Sequence, residues 1–547
     1  MIQVHCRKGQ TILQACQKQG ILVDGVCGGS GNCGKCKMKI MRIAPKEGDA
    51  GQSRMLPPSE KDIRLLSGQE LEQGFRLACA AVPEEDCDIR LVDTPIEEMA
   101  VVTSSREVKR REETDACFHT HELAVVADIG TTTLAMQLVA CTQNETKVLA
   151  TYTAVNAQRS FGAEVLSRIE ASNARWGDAL KDALLRGIAE GMEALTEPTA
   201  QAAFSGSAAD AGDKADSRAA GSAEPARLVL AGNTTMVHLL MGYSCETLGR
   251  AQFRPVSTDS IRMKAEPLLK PYLTEKTAAL LKETELFVFP GISAFVGGDI
   301  VAGLYVTGFY KSADVQILLD LGTNGEIVIG NRMRMLAAST AAGPAFEGGG
   351  ISCGSAGVRG AVCGCTMRAD GSFDLTTIGG AKPTGICGSG IIEILYELLK
   401  AGRIDETGLL DGGESERVIL YGDTIYLTQK DIRQFQMAKA AVCAGIETLV
   451  REYGVQPEEV AALYVAGGFG YSIDLKKAAA IGLFPKGYED RLTAIGNSAL
   501  AGCRAYLLEK DEKKLSNICR YSAERNLAQS DDFKEAYLAR MYFPSGA

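Results

Sequence analysis

Cys27, Cys33 and Cys36 stand at C-x5-C-x2-C spacing in a stretch too rich in glycine to be helix or strand. Thiolates so spaced suit an iron-sulfur cluster, because plant-type clusters take three from one tight loop and a fourth from far downstream, and Cys79 can supply the fourth. Glycines fit such a loop by allowing positive φ and close approach of backbone N–H groups to sulfur. Zinc loops usually bring paired C-x2-C ligands, whereas only one such pair occurs here, so a 2Fe-2S cluster is expected. Cys6, Cys16 and Cys87 lack a ligand partner at suitable spacing and read as small buried hydrophobes.

A second chemistry is written twice. Asp128, Gly130, Thr131 and Thr132 end one apolar strand and open another, and Asp320, Gly322, Thr323, Asn324 and Gly325 repeat the pattern in the second half of the chain. An Asp-x-Gly-Thr turn offers N–H groups and hydroxyls to phosphate oxygens, while its carboxylate can hold Mg2+ through water. Two such turns in register indicate a duplicated domain. A later apolar strand runs into Gly467, Gly468 and Phe469, where a flat ring could lie on bare backbone. Asn233 follows another apolar strand, so the amides there could face a phosphate, or Asn233 could serve only as a helix cap. Glu326 and Glu347 lie near these turns and are candidates for a catalytic base, though either could be a surface carboxylate. Residues 342–350 and 384–390 read as flexible turns suited to a cleft, or as plain loops. Cys353, Cys363, Cys365 and Cys387 lack C-x2-C spacing, which argues against a second metal centre.

Elements must hold these groups in place. Strands are expected at residues 2–4, 37–43 and 88–92, with helices at 11–20 and at 59–67, the latter capped by Ser59 with Asp62 three residues on. Residues 95–122 are dense in alternating charge and read as a linker, and His119 and His121 within it read as surface groups. Residues 200–226 have scarcely any large apolar side chain and read as a disordered insertion. Helical periodicity returns at 391–401, 431–453 and 504–510. The formal charge of −10 argues against a nucleic-acid surface. No stretch approaches the ~18 unbroken apolar residues of a membrane span, and no signal-peptide pattern opens the chain. With seventeen cysteines and no secretion signal, a cytoplasmic protein with reduced thiols is expected.

The order of elements in residues 1–94 resembles the β-grasp ferredoxins, and the x5 spacing is closest to their adrenodoxin-like variant. Residues 123–547 resemble the superfamily of actin, sugar kinases and heat-shock chaperone ATPases, whose two lobes close on ATP and Mg2+. The fold class implied is α+β and α/β multidomain, a ferredoxin-like β-grasp domain followed by a duplicated two-lobed actin-like ATPase. The layout as a whole resembles the reductive activators of corrinoid enzymes. That resemblance implies a 2Fe-2S cluster on Cys27, Cys33, Cys36 and Cys79, and Mg2+ placed by Asp128 and Asp320. Gly130, Thr131, Thr132, Gly322, Thr323, Asn324 and Gly325 would bind phosphates, and Gly467, Gly468 and Phe469 the adenosine. It further implies ATP-dependent one-electron reduction of cob(II)alamin to cob(I)alamin on a partner corrinoid protein, fed by a low-potential donor, with a homodimer left open. A plant-type cluster sits near roughly −400 mV, and each ~59 mV further down costs about 1.4 kcal/mol per electron, which gives ATP a purpose. Larger members carry a folded middle domain before the ATPase, and residues 95–122 are too few and too polar to be one. Two rival readings are an activator of the 2-hydroxyacyl-CoA dehydratase type and a small-molecule kinase with a redox-sensing arm.

Overall fold

The computed structural model describes residues 2–19, 21, 23, 29, 31, 34, 36–43, 54–92, 122–197, 224–413, 417–467 and 473–545. Cys27, Cys33, Gly468, Phe469, His119, His121, nearly all of the charged stretch and most of the expected insertion lie outside the described residues.

The N-terminal sheet is organised by the strand Cys87–Val92, which pairs antiparallel with Ile2–Cys6 on one side and Lys37–Ile43 on the other. Thr11 and Gln14 form a capping box that starts the helix Ile12–Lys18, whose Ile12, Leu13, Ala15 and Cys16 face the core. Ser59 and Asp62 form a second box and start the helix Glu60–Leu65. Asp62 is wholly buried and also accepts from the Leu77 N–H at 2.6 Å, which ties this helix to the strand Phe75–Leu77 just before Cys79. The expected helix over 59–67 is thus shorter, because Leu66 turns extended and Ser67 caps a new helix, Gly68–Glu72.

The larger part of the chain holds two six-stranded sheets with the same inner plan. In the first, the hairpin Glu122–Ile129 and Thr133–Cys141 continues antiparallel to Thr146–Val155 and is joined in parallel by Arg227–Gly232 and then Glu285–Val288. In the second, Val315–Leu321 and Gly325–Asn331 continue antiparallel to Arg334–Thr340 and are joined in parallel by Val460–Ala466 and then Leu492–Gly496. Both Asp-x-Gly-Thr stretches are therefore hairpin turns at equivalent places in duplicated sheets.

Two helices, Gly298–Thr307 and Ser498–Glu509, cross between the sheets. Their approach depends on glycine: a Cβ at Gly502 would stand 2.2 Å from Ala302 O, and one at Gly303 would stand 2.8 Å from Ser498 Oγ. The core around them draws Val126 and Ala135 from one sheet and Leu318 and Val328 from the other. No helix among the described residues is long and apolar enough to cross a membrane.

Several sequence expectations are corrected. Glu122, assigned to the charged linker, is the first residue of a strand and pairs with Cys141. Residues 225 and 226 are not insertion: the Ala226 N–H donates to Leu123 O at 2.8 Å, and Pro225 O accepts from Thr284 Oγ1 at 2.6 Å. Residues 384–390 are no flexible turn, since Gly385–Ile386 pairs with Ala361 and Val362 and leads at once into the helix Gly388–Lys400. Residues 504–509, expected as part of a helix, do end one, Ser498–Glu509, which Asn497 caps by accepting from the Leu500 N–H.

Candidate functional site

The first turn is shaped from behind. The Gly130 N–H donates to Thr133 O at 2.9 Å, and Asn156 holds the turn through Nδ2 to Gly130 O at 2.8 Å and N–H to Thr132 O at 2.9 Å. Arg168, wholly buried, donates to Thr131 O, to Gln158 Oε1 at 3.2 Å and to Gly162 O at 2.9 Å. Asn233 is a helix cap, its Oδ1 accepting from Met236 N at the start of Thr234–Met241, and its Nδ2 also donates to Thr131 Oγ1 at 2.9 Å.

The second turn closes through the Gly322 N–H, which donates to Asn324 O at 3.0 Å, with Gly325 paired to Leu321. Its hydroxyl reaches the same acceptor as the first turn's: Thr323 Oγ1 donates to Glu347 Oε2 at 2.9 Å, and Thr132 Oγ1 lies 3.3 Å from that oxygen. Glu347 ends the short 3-10 helix Pro344–Glu347, so residues 342–350 are an ordered bridge between the turns. Glu326 stands directly across the paired strands from Asp320, is repelled by Asp320 and Asp299, and accepts from Ser339 Oγ at 3.5 Å.

Asp128 accepts from Asn497 Nδ2 at 2.7 Å, and Asp320 faces Ser498 Oγ at 3.5 Å. Both partners come from the interlobe helix and its cap. Gly467 lies against the second turn at φ +95°, where a Cβ would stand 2.3 Å from Leu321 O and 2.8 Å from Asp320 Oδ1. Burial pushes the Asp128 carboxyl up to about 7 and the Asp320 carboxyl up to about 8, with Asp299 adding repulsion to both. Asp299, raised by burial to about 6, is a member of this cluster that the sequence reading missed. Glu326 and Glu347 are also raised by burial, the latter opposed by Thr323, Arg159 and Thr132.

These oxygens are hard donors of the kind Mg2+ takes, and a divalent cation would relieve their mutual repulsion. Among the described residues no three His, Cys, Asp or Glu side chains converge on one ion, so the arrangement suits an ion that keeps most of its waters. The raised carboxyls also set a pH dependence. An unfolded carboxyl titrates near about 4, so between that value and the folded ones the native state keeps protons that the unfolded state has lost. In metal-free protein their contribution to stability therefore falls as pH rises from about 4 toward 8. Urea unfolding without Mg2+ should show this decline between about pH 4 and 8, and Asp320→Asn should make it shallower.

In the N-terminal domain the structure brings Cys36 and Cys79 together, their sulfurs 3.2 Å apart and both side chains buried. Gly29, Gly31 and Gly34 all have positive φ, at 88°, 78° and 70°. A Cβ on Gly29 would stand 3.3 Å from Leu13 Cδ2 and 4.0 Å from Cys79 Cβ. Three positive-φ glycines, one of them beside Cys79, together with two converging thiols suit a cluster cradle. Burial pushes the Cys6 and Cys16 thiols up to about 12, so neither is a ready thiolate.

The sequence reading also missed Asn156, Arg168 and Asn497. Asn497 carried a signal, because Gly496-Asn497-Ser498 repeats the strand, Gly, Asn, helix pattern of Gly232-Asn233-Thr234. Arg168 carried none, since an arginine in a helical stretch reads as a surface charge.

Residues 314–547 match the family model described as the C-terminal domain of RACo, the ASKHA domain. Residues 123–204 and 215–312 match the RACo middle region, and residues 1–84 match the 2Fe-2S iron-sulfur cluster binding domain. The middle region thus lies beyond the charged stretch, which corrects the expectation that it is lacking. The chain is 31% identical over 446 residues to the corrinoid activation enzyme RamQ of Eubacterium limosum, covering 77% of this chain and 70% of that protein. It is 28% identical to the Co(II) methylated amine-specific corrinoid protein reductase of Methanosarcina barkeri, over 48% of this chain and 52% of that one. A solved reductive activator for corrinoid, iron-sulfur protein superposes with a TM-score of 0.65 at 25% identity, covering 98% of this chain and 96% of that chain.

Proposed function

The chain belongs to the family of reductive activators of corrinoid proteins, and from that premise we propose that it uses ATP to drive one-electron reduction of cob(II)alamin to cob(I)alamin on a partner corrinoid protein. The observation that carries the ATP half of this reading is the meeting of Thr132 and Thr323, one from each turn, at Glu347. Hydroxyls and turn amides aimed into one space can hold the phosphates of a single nucleotide from both sides.

Cys27, Cys33, Cys36 and Cys79 are proposed to hold the 2Fe-2S cluster, which supplies a one-electron carrier when bound. Gly130, Thr131, Thr132, Gly322, Thr323, Asn324 and Gly325 are proposed to cradle the phosphates, with Gly467, Gly468 and Phe469 against the adenosine. Asp128, held by Asn497, and Asp320, beside Ser498, would place hydrated Mg2+. Of the two candidate bases, Glu347 is the better placed, because its carboxylate faces both turns and its raised affinity for protons suits taking one from an attacking water. Glu326 bonds to Ser339 on a neighbouring strand and is left a positioning role.

The test is direct. Chemically reduced protein with MgATP should convert cob(II)alamin on a corrinoid protein to cob(I)alamin, followed by visible absorption, and omission of ATP should stop or stall the conversion. If candidate corrinoid proteins in the cob(II) state neither accept electrons nor bind, the proposal fails.

A further inference from the structure

One segment of the first lobe faces two ways. Asn156 is bonded to Gly130 O and Thr132 O, so its position follows the phosphate turn. Arg168 closes the far end of the segment, bonded at once to Thr131 O, Gln158 Oε1 and Gly162 O. Between these anchors the 3-10 helix Ala157–Ser160 presents Ser160, only 3% exposed. The partners of Ser160 lie in the ferredoxin-like domain: the Val23 N–H donates to Ser160 Oγ at 3.3 Å, and Gln17 Nε2 donates to Ser160 O.

Both partners are joined to the cluster cradle. Val23 precedes the cysteine loop in sequence. Gln17 lies on the helix Ile12–Lys18, whose Leu13 N–H donates to Ala78 O at 2.8 Å, next to Cys79, and whose Leu13 side chain packs beside Gly29. Packed segments of this kind shift as units rather than deform.

We propose that residues 156–168 form a nucleotide-responsive docking site for the ferredoxin-like domain of the same chain. Phosphate arriving at Gly130 to Thr132 repositions Asn156 and Arg168, and with them Ser160, which then grips or releases the entry to the cysteine loop. The proposal rests on the nucleotide reading of the cleft and adds the route by which ATP governs when the cluster domain is free to meet an acceptor. Two neutral hydrogen bonds support a coupling of roughly 5- to 150-fold, and a docked domain must change nucleotide affinity by the same factor.

Hydrogen exchange read by mass spectrometry tests it on the full chain with its cluster intact and oxygen excluded. The protein is compared without nucleotide, with MgADP and with a non-hydrolysable MgATP analogue. Peptides spanning 12–23 should change exchange rate by about fivefold or more between the nucleotide-free and analogue-bound protein. Ser160→Ala and, from the other side of the contact, Gln17→Ala each remove one of the two bonds and should each shrink that change by about twofold or more, while peptides spanning 130–134 still respond to nucleotide. If 130–134 responds in the wild-type protein and 12–23 does not, the docking site is overturned and the nucleotide reading stands. If 130–134 does not respond, both are overturned.

Discussion

Asp320→Asn should abolish ATP turnover and leave the visible and EPR spectra of the cluster unchanged. Asparagine keeps the shape of the side chain beside Ser498 and Gly467, so the loss is one of charge rather than packing. A metal ion that polarises a phosphoryl oxygen contributes several kcal/mol to the transition state. At 1.36 kcal/mol per tenfold, misplacing it lowers kcat by about a hundredfold or more. The cluster spectrum should be insensitive because Cys36 and Cys79 belong to a hydrophobic core separate from those of the two large sheets. Asp128→Asn should act in the same direction, and the Asn497 amide, which donates to that carboxylate at 2.7 Å, would be left with a poorer acceptor. Steady-state ATPase assays check both. Turnover within about tenfold of wild type in both variants would remove the pair from the metal site.

Cys79→Ser should remove or strongly perturb the cluster. The anaerobically purified wild-type protein should hold about two irons and two labile sulfides per chain and take up one electron. In the variant, iron and sulfide should fall together and the reduced-state EPR signal should vanish or shift, with nucleotide binding retained. The expectation follows from the 3.2 Å approach of Cys79 to Cys36 and from the unsuitability of the other thiols nearby. Cys6 is buried and raised to about 12, with Cys87 directly opposite on the paired strand, and Cys16 is raised to about 12 by burial on the inward face of its helix. An unchanged spectrum would reopen the choice among these cysteines.

The sequence by itself determined whatever is encoded within a few residues. Thr11 with Gln14 and Ser59 with Asp62 start helices because each pair satisfies the free N–H groups of its own first turn. The two hairpins were legible because an apolar strand, an Asp-x-Gly-Thr turn and a second apolar strand are one local pattern, and its recurrence announced the duplicated sheets. Cys36 and Cys79, far apart in the chain, could be paired beforehand only because cluster chemistry demands a fourth thiolate. Element ends were less legible: residues 122, 225 and 226 look polar or turn-forming, yet backbone hydrogen bonds at the sheet margin fasten them.

Only the tertiary structure decided which carboxylate serves both turns. Glu326 lies nearer the second turn in sequence, but strand pairing sets it beside Asp320 and Ser339, whereas Glu347 is carried to Thr132 and Thr323 by a short 3-10 helix. The meeting of Asp128 with Asn497 spans 369 residues and exists because the helix Ser498–Glu509 packs between the two sheets. Asp299 joins the same cluster by crossing that helix at Gly303 and Gly502, a close approach that depends on the absence of side chains at two points. Arg168 was least legible, since its composition argues for solvent and its burial follows from hydrogen bonds to three backbone or side-chain oxygens folded around it. Local pattern specifies hydrogen bonds closed within a turn, while groups that meet through packed helices and paired sheets have no spacing in the chain to betray them.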